Sequence, residues 1–333
     1  MNYSLDERVK QLETLLMNTF DELRQQMEWT DFTYNGSHYY LNSREKGRHM
    51  LNCKAVDVEN FLRQVANLMG KNYNLTSPIL DLSFGHYRLN AMYSSIAKQN
   101  NQPCLSFAFR RMSEQLCIRD DDIVVMSKDM REFLTQLLQD KQSILISGRT
   151  GTGKTEMQKY LLSKLSSHTR VIMIEDTYET HIKELAPHLD ITTWVVPPNS
   201  PNLLHTYREL LLAALRNNPD WIVISELRGG EGRAVYEAVL AGHPMITTMH
   251  SSDPEINLHR LRQLISDLPS SSDHQMMETL TRLFPYTIHM QDTISPNGSR
   301  VYAVDCICHY SFDRRSNRVV TKIIAQHPKD TSV

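Results

Sequence analysis

The stretch Ser143–Met157, SILISGRTGTGKTEM, restricts what this chain can fold into more than any other segment. An apolar run breaks into Gly148, Arg149, Thr150, Gly151, Thr152, Gly153, Lys154 and Thr155, and the helix formers Glu156, Met157 and Gln158 follow at once. That order reads as strand, glycine-rich loop, helix. Glycines let backbone N–H groups turn inward around an anion without Cβ clashes, and a helix that starts there adds the positive end of its dipole. The stretch is expected to cradle phosphate, with Lys154 at the β/γ-phosphates of a nucleotide and Thr155 on Mg²⁺.

The rest of the composition narrows the partners. The chain has 333 residues, 41% hydrophobic and 22% charged, which is ordinary for a soluble protein with room for two cores. Its formal charge is −2 with both signs interspersed, so no broad basic surface marks it for direct nucleic-acid binding. Cys53, Cys104, Cys117, Cys306 and Cys308 include no CxxC pair, and the first residues lack an apolar leader core, so a reducing cytoplasm is expected. No window approaches eighteen apolar residues. Membrane contact is expected to be peripheral, through partner proteins.

Taken in order, Leu5–Met27 places Leu5, Val9, Leu12, Leu16 and Leu23 on one helical stripe. The stripe either docks on its own domain or serves a partner. Ser37–Leu41 reads as a strand, Val56–Met69 as a helix stopped by Gly70, and Ile79–Phe84, Tyr87–Met92 and Leu105–Phe109 as further strands. Alternation puts Leu105, Phe107 and Phe109 on one face and turns Arg110 away from it. From spacing alone, Arg88, Arg110 and Arg111 belong on a solvated sheet face. The charged run Arg119–Asp122 reads as a linker before a helix at Lys128–Gln139, with a boundary near Ser127. The expected organisation is a helix over 1–28, a small α+β domain over 29–127 and a larger α/β domain over 128–333.

The second half has a β-α-β rhythm. Apolar runs at Ile144–Ser147, Val171–Ile174, Trp221–Ile224 and Met245–Met249 suit strands buried on both faces of a mainly parallel sheet. Such sheets bind ligands beyond the carboxyl ends of their strands. Those ends carry the phosphate loop, then Glu175 and Asp176, then Glu226, then His250. Glu226 ends too apolar a strand to stay unpaired, and needs a metal-bound or polarised water, or an ion pair with Arg228 or Arg233. Glu175 and Asp176 either manage Mg²⁺ and water or cap the next segment. His250 reads equally as a functional or a structural histidine. Asp253-Pro254-Glu255 should start a helix carrying Arg260 and Arg262. From Tyr286 the tail is strand-rich, with a hairpin turn expected at Asn297-Gly298.

These motifs resemble those of the type II/type IV secretion ATPases, hexameric motors of secretion systems, conjugation machines and type IV pili. The resemblance covers roughly residues 75–325. It rests on GRTGTGKT, on VIMIEDTYE like the aspartate box, on LLLAALRNNPDWIVISELRGGE like the LLRxxLRxxPDxIxxGExRxxE segment, and on AGHPMITTMHS like the GHxxxxTxHxxS histidine box. It implies a RecA-like P-loop domain, ATP and Mg²⁺ as ligands, a homo-oligomeric ring, hexameric as in the family, and inner-membrane secretion or pilus components as partners. Residue by residue, it implies that Glu175 activates water, that Glu226 is the acidic residue of the second nucleotide motif, and that His243 and His250 belong to the histidine box. YRLN at Tyr87–Asn90 and FAFRR at Phe107–Arg111 look like segments whose arginines, Arg88 and Arg110 with Arg111 beside them, reach phosphates. Arg228, Glu231 and Arg233 are secondary charged candidates after Glu226. Ser225 stands where the family usually has Gly, Gly232 where Ala is common, and the tetracysteine zinc module of many type II members is missing. The closer branch is conjugation, type IV secretion or tight-adherence pili. The rivals are a nucleic-acid translocase of related fold and a non-hydrolysing ATP-binding scaffold.

Overall fold

The computed structural model describes residues 5–26, 29–43, 46–196, 203–227, 229, 232–265, 273–294 and 300–327. The chain divides into one unit of Met1–Glu114 with Ile294–Arg300, and a second of Gln115–Thr293 with Val301–Val333.

In the first unit α1 (Leu5–Thr19) precedes a 3-10 turn at Asp21–Gln25. There follow β1 (Trp29–Tyr34), β2 (Tyr39–Ser43), β3 (Gly47–Leu51), α2 (Val58–Leu68), β4 (Ile79–Phe84), β5 (Tyr87–Met92), the short β6 (Lys98–Gln99) and β7 (Gln102–Pro103), and β8 (Ser106–Arg111). Six strands form an antiparallel sheet in the order β3-β2-β1-β8-β5-β4. Alternation does the sorting: β4 reads exposed, buried, exposed along ILDLSF, and Leu80, Leu82, Leu89, Phe107 and Phe109 share the core with Leu12, Leu16, Phe61 and Val65 of the two helices. The α1 stripe thus docks on its own unit. That helix stops short of the Met27 end expected from the pattern, because Phe20 leaves helical geometry at φ −124°, ψ 70° and buries its ring against Phe32 and Phe61.

The second unit opens with α3 (Lys128–Gln139), capped by Ser127 Oγ accepting from Met130 N at 3.3 Å. It continues with β9 (Ile144–Gly148), α4 (Lys154–Ser163), β10 (Arg170–Glu175), α5 (Ile182–Leu185), β11 (Asp190–Val195), α6 (Leu203–Arg216), β12 (Trp221–Leu227), α7 (Gly232–Leu240) and β13 (Met245–His250). A 3-10 turn at Pro254–Ile256 leads to α8 (Asn257–Leu264), α9 (Asp273–Leu283), β14 (Tyr286–Ile294), β15 (Arg300–Asp313) and β16 (Arg318–Gln326). The sheet runs β11-β10-β12-β13-β9-β14-β15-β16 and is parallel from β11 to β14, with β16 antiparallel to β15. The strand-rich tail extends this same sheet. Apolar cores lie on both of its faces: Ile144, Ile146, Met173 and Val223 meet α3 and α4 on one, and Leu145, Ile172, Ile222 and Ile224 meet α6 to α9 on the other. This explains why the inner strands read as unbroken apolar runs. Ile118, Val125 and Met126 are buried in the first of these cores, which places the stretch before Ser127 with the second unit. The hairpin turn expected at Asn297-Gly298 lies outside the described residues.

Candidate functional site

The carboxyl ends of β10, β12, β13 and β9 are neighbours in the sheet, so the polar residues that end them gather at one rim. In register, Gly148 of β9 faces His250 on one side and Met290 on the other. Gly148 has φ +153°, and a Cβ there would lie 2.5 Å from Met290 O and 2.6 Å from Thr152 Oγ1. Only glycine lets the strand turn into the loop at this point. The loop closes on itself through Thr152 Oγ1, which donates to Arg149 O at 2.9 Å. Gly153 then starts α4 at φ +84°. Its missing side chain leaves space against Tyr302, whose ring Cγ would lie 3.3 Å from a Cβ.

Lys154, the first residue of α4, is buried and has three hydrogens to place. They face Gly148 O at 3.1 Å, Arg149 O at 2.9 Å and His250 Nδ1 at 3.1 Å. An ammonium can only donate, so Nδ1 accepts and the imidazole proton sits on Nε2. Nε2 lies 2.5 Å from Glu226 Oε1, so the carboxylate stands directly against the protonated side of the ring. A lysine, a histidine and a carboxylate thereby stand in a row beside the loop. Burial pushes the Lys154 pKa below the ordinary lysine value, and the Glu226 charge works against that shift. Glu226 meets the requirement of its apolar strand through His250. Arg233, an alternative partner on sequence grounds, donates to Glu237 Oε1 at 3.1 Å. Arg228 and Glu231 lie outside the described residues.

Glu175 is placed differently. It is fully buried at the end of β10, where Oε1 accepts from Glu179 N at 3.3 Å and Thr180 N at 3.1 Å, and Oε2 accepts from Thr180 Oγ1 at 3.0 Å. Its carboxyl therefore holds the loop that begins with Asp176. Burial raises its pKa to about 7, against the opposing effect of Thr180 and the two backbone donors. Around the phosphate loop, Arg149, Thr150, Gly151 and Thr155 are exposed, and Glu156 accepts from Lys159 Nζ at 3.0 Å. Thr150 Oγ1 lies 3.5 Å from His250 Nδ1. His243 precedes β13 at its other end, with Nδ1 3.1 Å from Pro219 O. At the strand rise of ~3.3 Å per residue, it is roughly 20 Å from His250 and does not join the cluster.

In the first unit, Arg88 and Arg110 stand directly opposite each other on β5 and β8. Arg110 Nε lies 3.2 Å from Asp31 Oδ1, and Arg88 Nε 3.7 Å from Asp81 Oδ1. Arg111 pairs with Glu114 at 3.1 Å and lies over the Trp29 ring.

Two contacts around the loop escaped the sequence reading. His289 of β14, buried, has Nδ1 2.8 Å from Ser147 Oγ near the end of β9, and burial lowers its pKa. Gln158 of α4, also buried, donates to Ile224 O at 2.9 Å and so ties the helix to the strand that carries Glu226. Both are polar side chains that become informative only when a partner distant in sequence is known. Among the described residues, no helix is long and apolar enough to cross a membrane.

Residues 93–323 match the family model for type II/IV secretion system proteins. An uncharacterised protein of Bacillus anthracis is 32% identical over 272 residues, covering 80% of this chain and 59% of that protein. The type IV secretion system protein VirB11 of Bartonella henselae is 34% identical over 158 residues, covering 46% of this chain and 43% of VirB11. The chain thus spans less than two thirds of the length of either relative. In fold it is similar to the pilus retraction motor PilT, solved with bound ADP, at a TM-score of 0.60 and 20% identity over 89% of this chain and 81% of PilT. With its loop, its parallel sheet and its strand-end residues in place and more than half its length matched, the chain belongs to the type II/IV secretion system protein family.

Proposed function

We propose that this chain binds and hydrolyses ATP, and that it works as a homo-oligomeric motor subunit, hexameric in the manner of the family it resembles, for a membrane-bound secretion or pilus machine. The observation that carries the reading is the Lys154–His250–Glu226 chain beneath a glycine loop that opens a helix. Backbone N–H groups of the loop and the start of α4 would hold the β- and γ-phosphates. Lys154 would exchange the Gly148 and Arg149 carbonyls for phosphate oxygens, and His250 would stay oriented by Glu226. Glu226, near the end of β12, would be the carboxylate that orients the attacking water and accepts its proton. Glu175 would join the chemistry only on leaving Glu179 and Thr180. A hard cation fits this set, because the exposed hydroxyl of Thr155 and the Glu226 carboxylate are oxygen donors and Ser225 Oγ is a buried hydroxyl with no hydrogen-bond partner among the described residues. Mg²⁺ held there, in part through water, would neutralise charge on the phosphates.

Arg88 and Arg110 are proposed as phosphate partners on the strength of the family resemblance and of their shared face. A cytoplasmic location, peripheral to the membrane through partner proteins, belongs to the same reading. Family membership favours this motor over a nucleic-acid translocase, in keeping with the net charge of −2. An ATP turnover assay tests it against a non-hydrolysing scaffold. Release of phosphate that depends on Lys154 is the expected result, and ATP binding without turnover is the contrary one.

A further inference from the structure

We propose that Tyr302 is the surface on which the aromatic base of the nucleotide stacks, an inference that rests on the ATP-binding reading above. Tyr302 belongs to β15, which is separated from β9 by β14 in the sheet, yet its ring reaches the phosphate loop. A Cβ on Gly153 would lie 3.3 Å from its Cγ, 3.4 Å from its Cβ and 3.7 Å from its Cδ1. The ring therefore stands on the side of Gly153 from which a side chain would project, next to the residue immediately before Lys154. It is half-buried and is part of neither apolar core of the second unit, whereas Val304, Cys306 and Ile307 of the same strand are buried.

The position fits the order of groups along a nucleotide. If Lys154 takes the β- and γ-phosphates, the α-phosphate falls near the first turn of α4 and the nucleoside must leave the loop beside that turn. Gly153 is where that turn begins, and Tyr302 is the ring beside it. An aromatic face there can take any purine, because stacking reads a π-surface and not a hydrogen-bond pattern. Tyr302 would accordingly strengthen binding of the nucleoside without selecting its identity. The tight fit against Gly153 also means that a side chain on the loop would displace the ring.

Equilibrium binding of ATP and of inorganic tripolyphosphate to the full chain separates base from phosphate. Tyr302→Ala and Tyr302→Leu should each weaken ATP binding by roughly 5- to 150-fold, the range for losing one base–aromatic stack, and leave tripolyphosphate binding unchanged. Tyr302→Phe should bind ATP as the wild type does. Thermal melts of the variants show that the fold is kept, and the leucine variant keeps apolar bulk beyond Cβ beside Gly153 where alanine does not. Unchanged ATP affinity in the leucine and alanine variants would overturn the proposal, as would a parallel loss of tripolyphosphate binding, which would make the ring a support for the loop. A wild-type protein that binds neither ligand would overturn the ATP-binding reading itself.

Discussion

The two ring nitrogens of His250 face two different groups: Lys154 donates to Nδ1, and Nε2 lies against the Glu226 carboxylate. Replacing His250 with alanine leaves the lysine one acceptor short and removes the ring that stands between it and the carboxylate. His250→Ala should lower kcat by about 10²-fold, the effect of losing the alignment of reacting groups, with ATP binding largely kept. Steady-state kinetics beside equilibrium ATP binding check this, and a kcat equal to wild type would return His250 to a structural role. Glu175 makes a different expectation, because its folded pKa of about 7 lies above its ordinary value near 4.5. Between those values the folded state holds a proton that the unfolded state has lost, so stability falls as pH rises from about 4.5 to 7 and is level above. Glu175→Gln keeps an acceptor for Glu179 and Thr180 and removes the titration. Relative to that variant, the wild type should lose up to about 3 kcal/mol of stability between pH 5 and pH 8, an order-of-magnitude figure measurable by denaturant unfolding. Parallel pH profiles for the two proteins would show that Glu175 is not held as described.

At the scale of elements, the loop is fixed by the strands beside it as much as by its own glycines. A methyl group on Gly148 would meet the Met290 carbonyl, which belongs to a strand hydrogen-bonded to β9 and cannot move aside alone. Gly148→Ala should therefore cost about 1–3 kcal/mol and weaken ATP binding, to be checked by thermal melts and equilibrium binding. A variant with unchanged stability would show the turn to be less constrained. The strands most legible in the sequence were those with both faces buried, since Ile172, Ile222 and Ile246 have no solvent side to interrupt the pattern. β11 went unread because it is an edge strand in which Ile191 is buried while Asp190, Thr192 and Val195 are exposed. The run Arg119–Asp122 looked like a free linker, but Asp120 accepts from Tyr160 Oη at 3.0 Å and Lys164 Nζ at 2.6 Å, which fastens it to α4. Charge alone could not reveal those partners. In the site, Glu226 and His250 were legible as strand-end residues, whereas the loop-holding geometry of Glu175 depends on a turn that local composition does not specify.

For the molecule as a whole, the proposal joins an ATPase site in the second unit to arginines carried by the first. Arg88 and Arg110 sit opposite each other, where like charges repel unless an anion or carboxylate intervenes. Arg110 is exposed and its pairing with Asp31 is a surface ion pair, so Arg110→Ala should change stability by less than about 1 kcal/mol. If Arg110 meets charge developing on the γ-phosphate, kcat should nevertheless fall by up to roughly 10³–10⁵-fold. Mixing this variant with Lys154→Ala subunits distinguishes action on a neighbour's site, where activity returns at mixed interfaces, from action on its own. An unchanged kcat would leave Arg110 as a solvated surface residue. The central claim is that Lys154 holds the nucleotide's phosphates while Glu226 directs the water, and ATP binding measured together with turnover in Lys154→Ala and Glu226→Gln tests it most directly. Lys154→Ala should lose ATP binding, and Glu226→Gln should bind ATP as the wild type does while turning it over about 10²–10⁴-fold more slowly. Wild-type ATP affinity in Lys154→Ala, or wild-type turnover in Glu226→Gln, would contradict it.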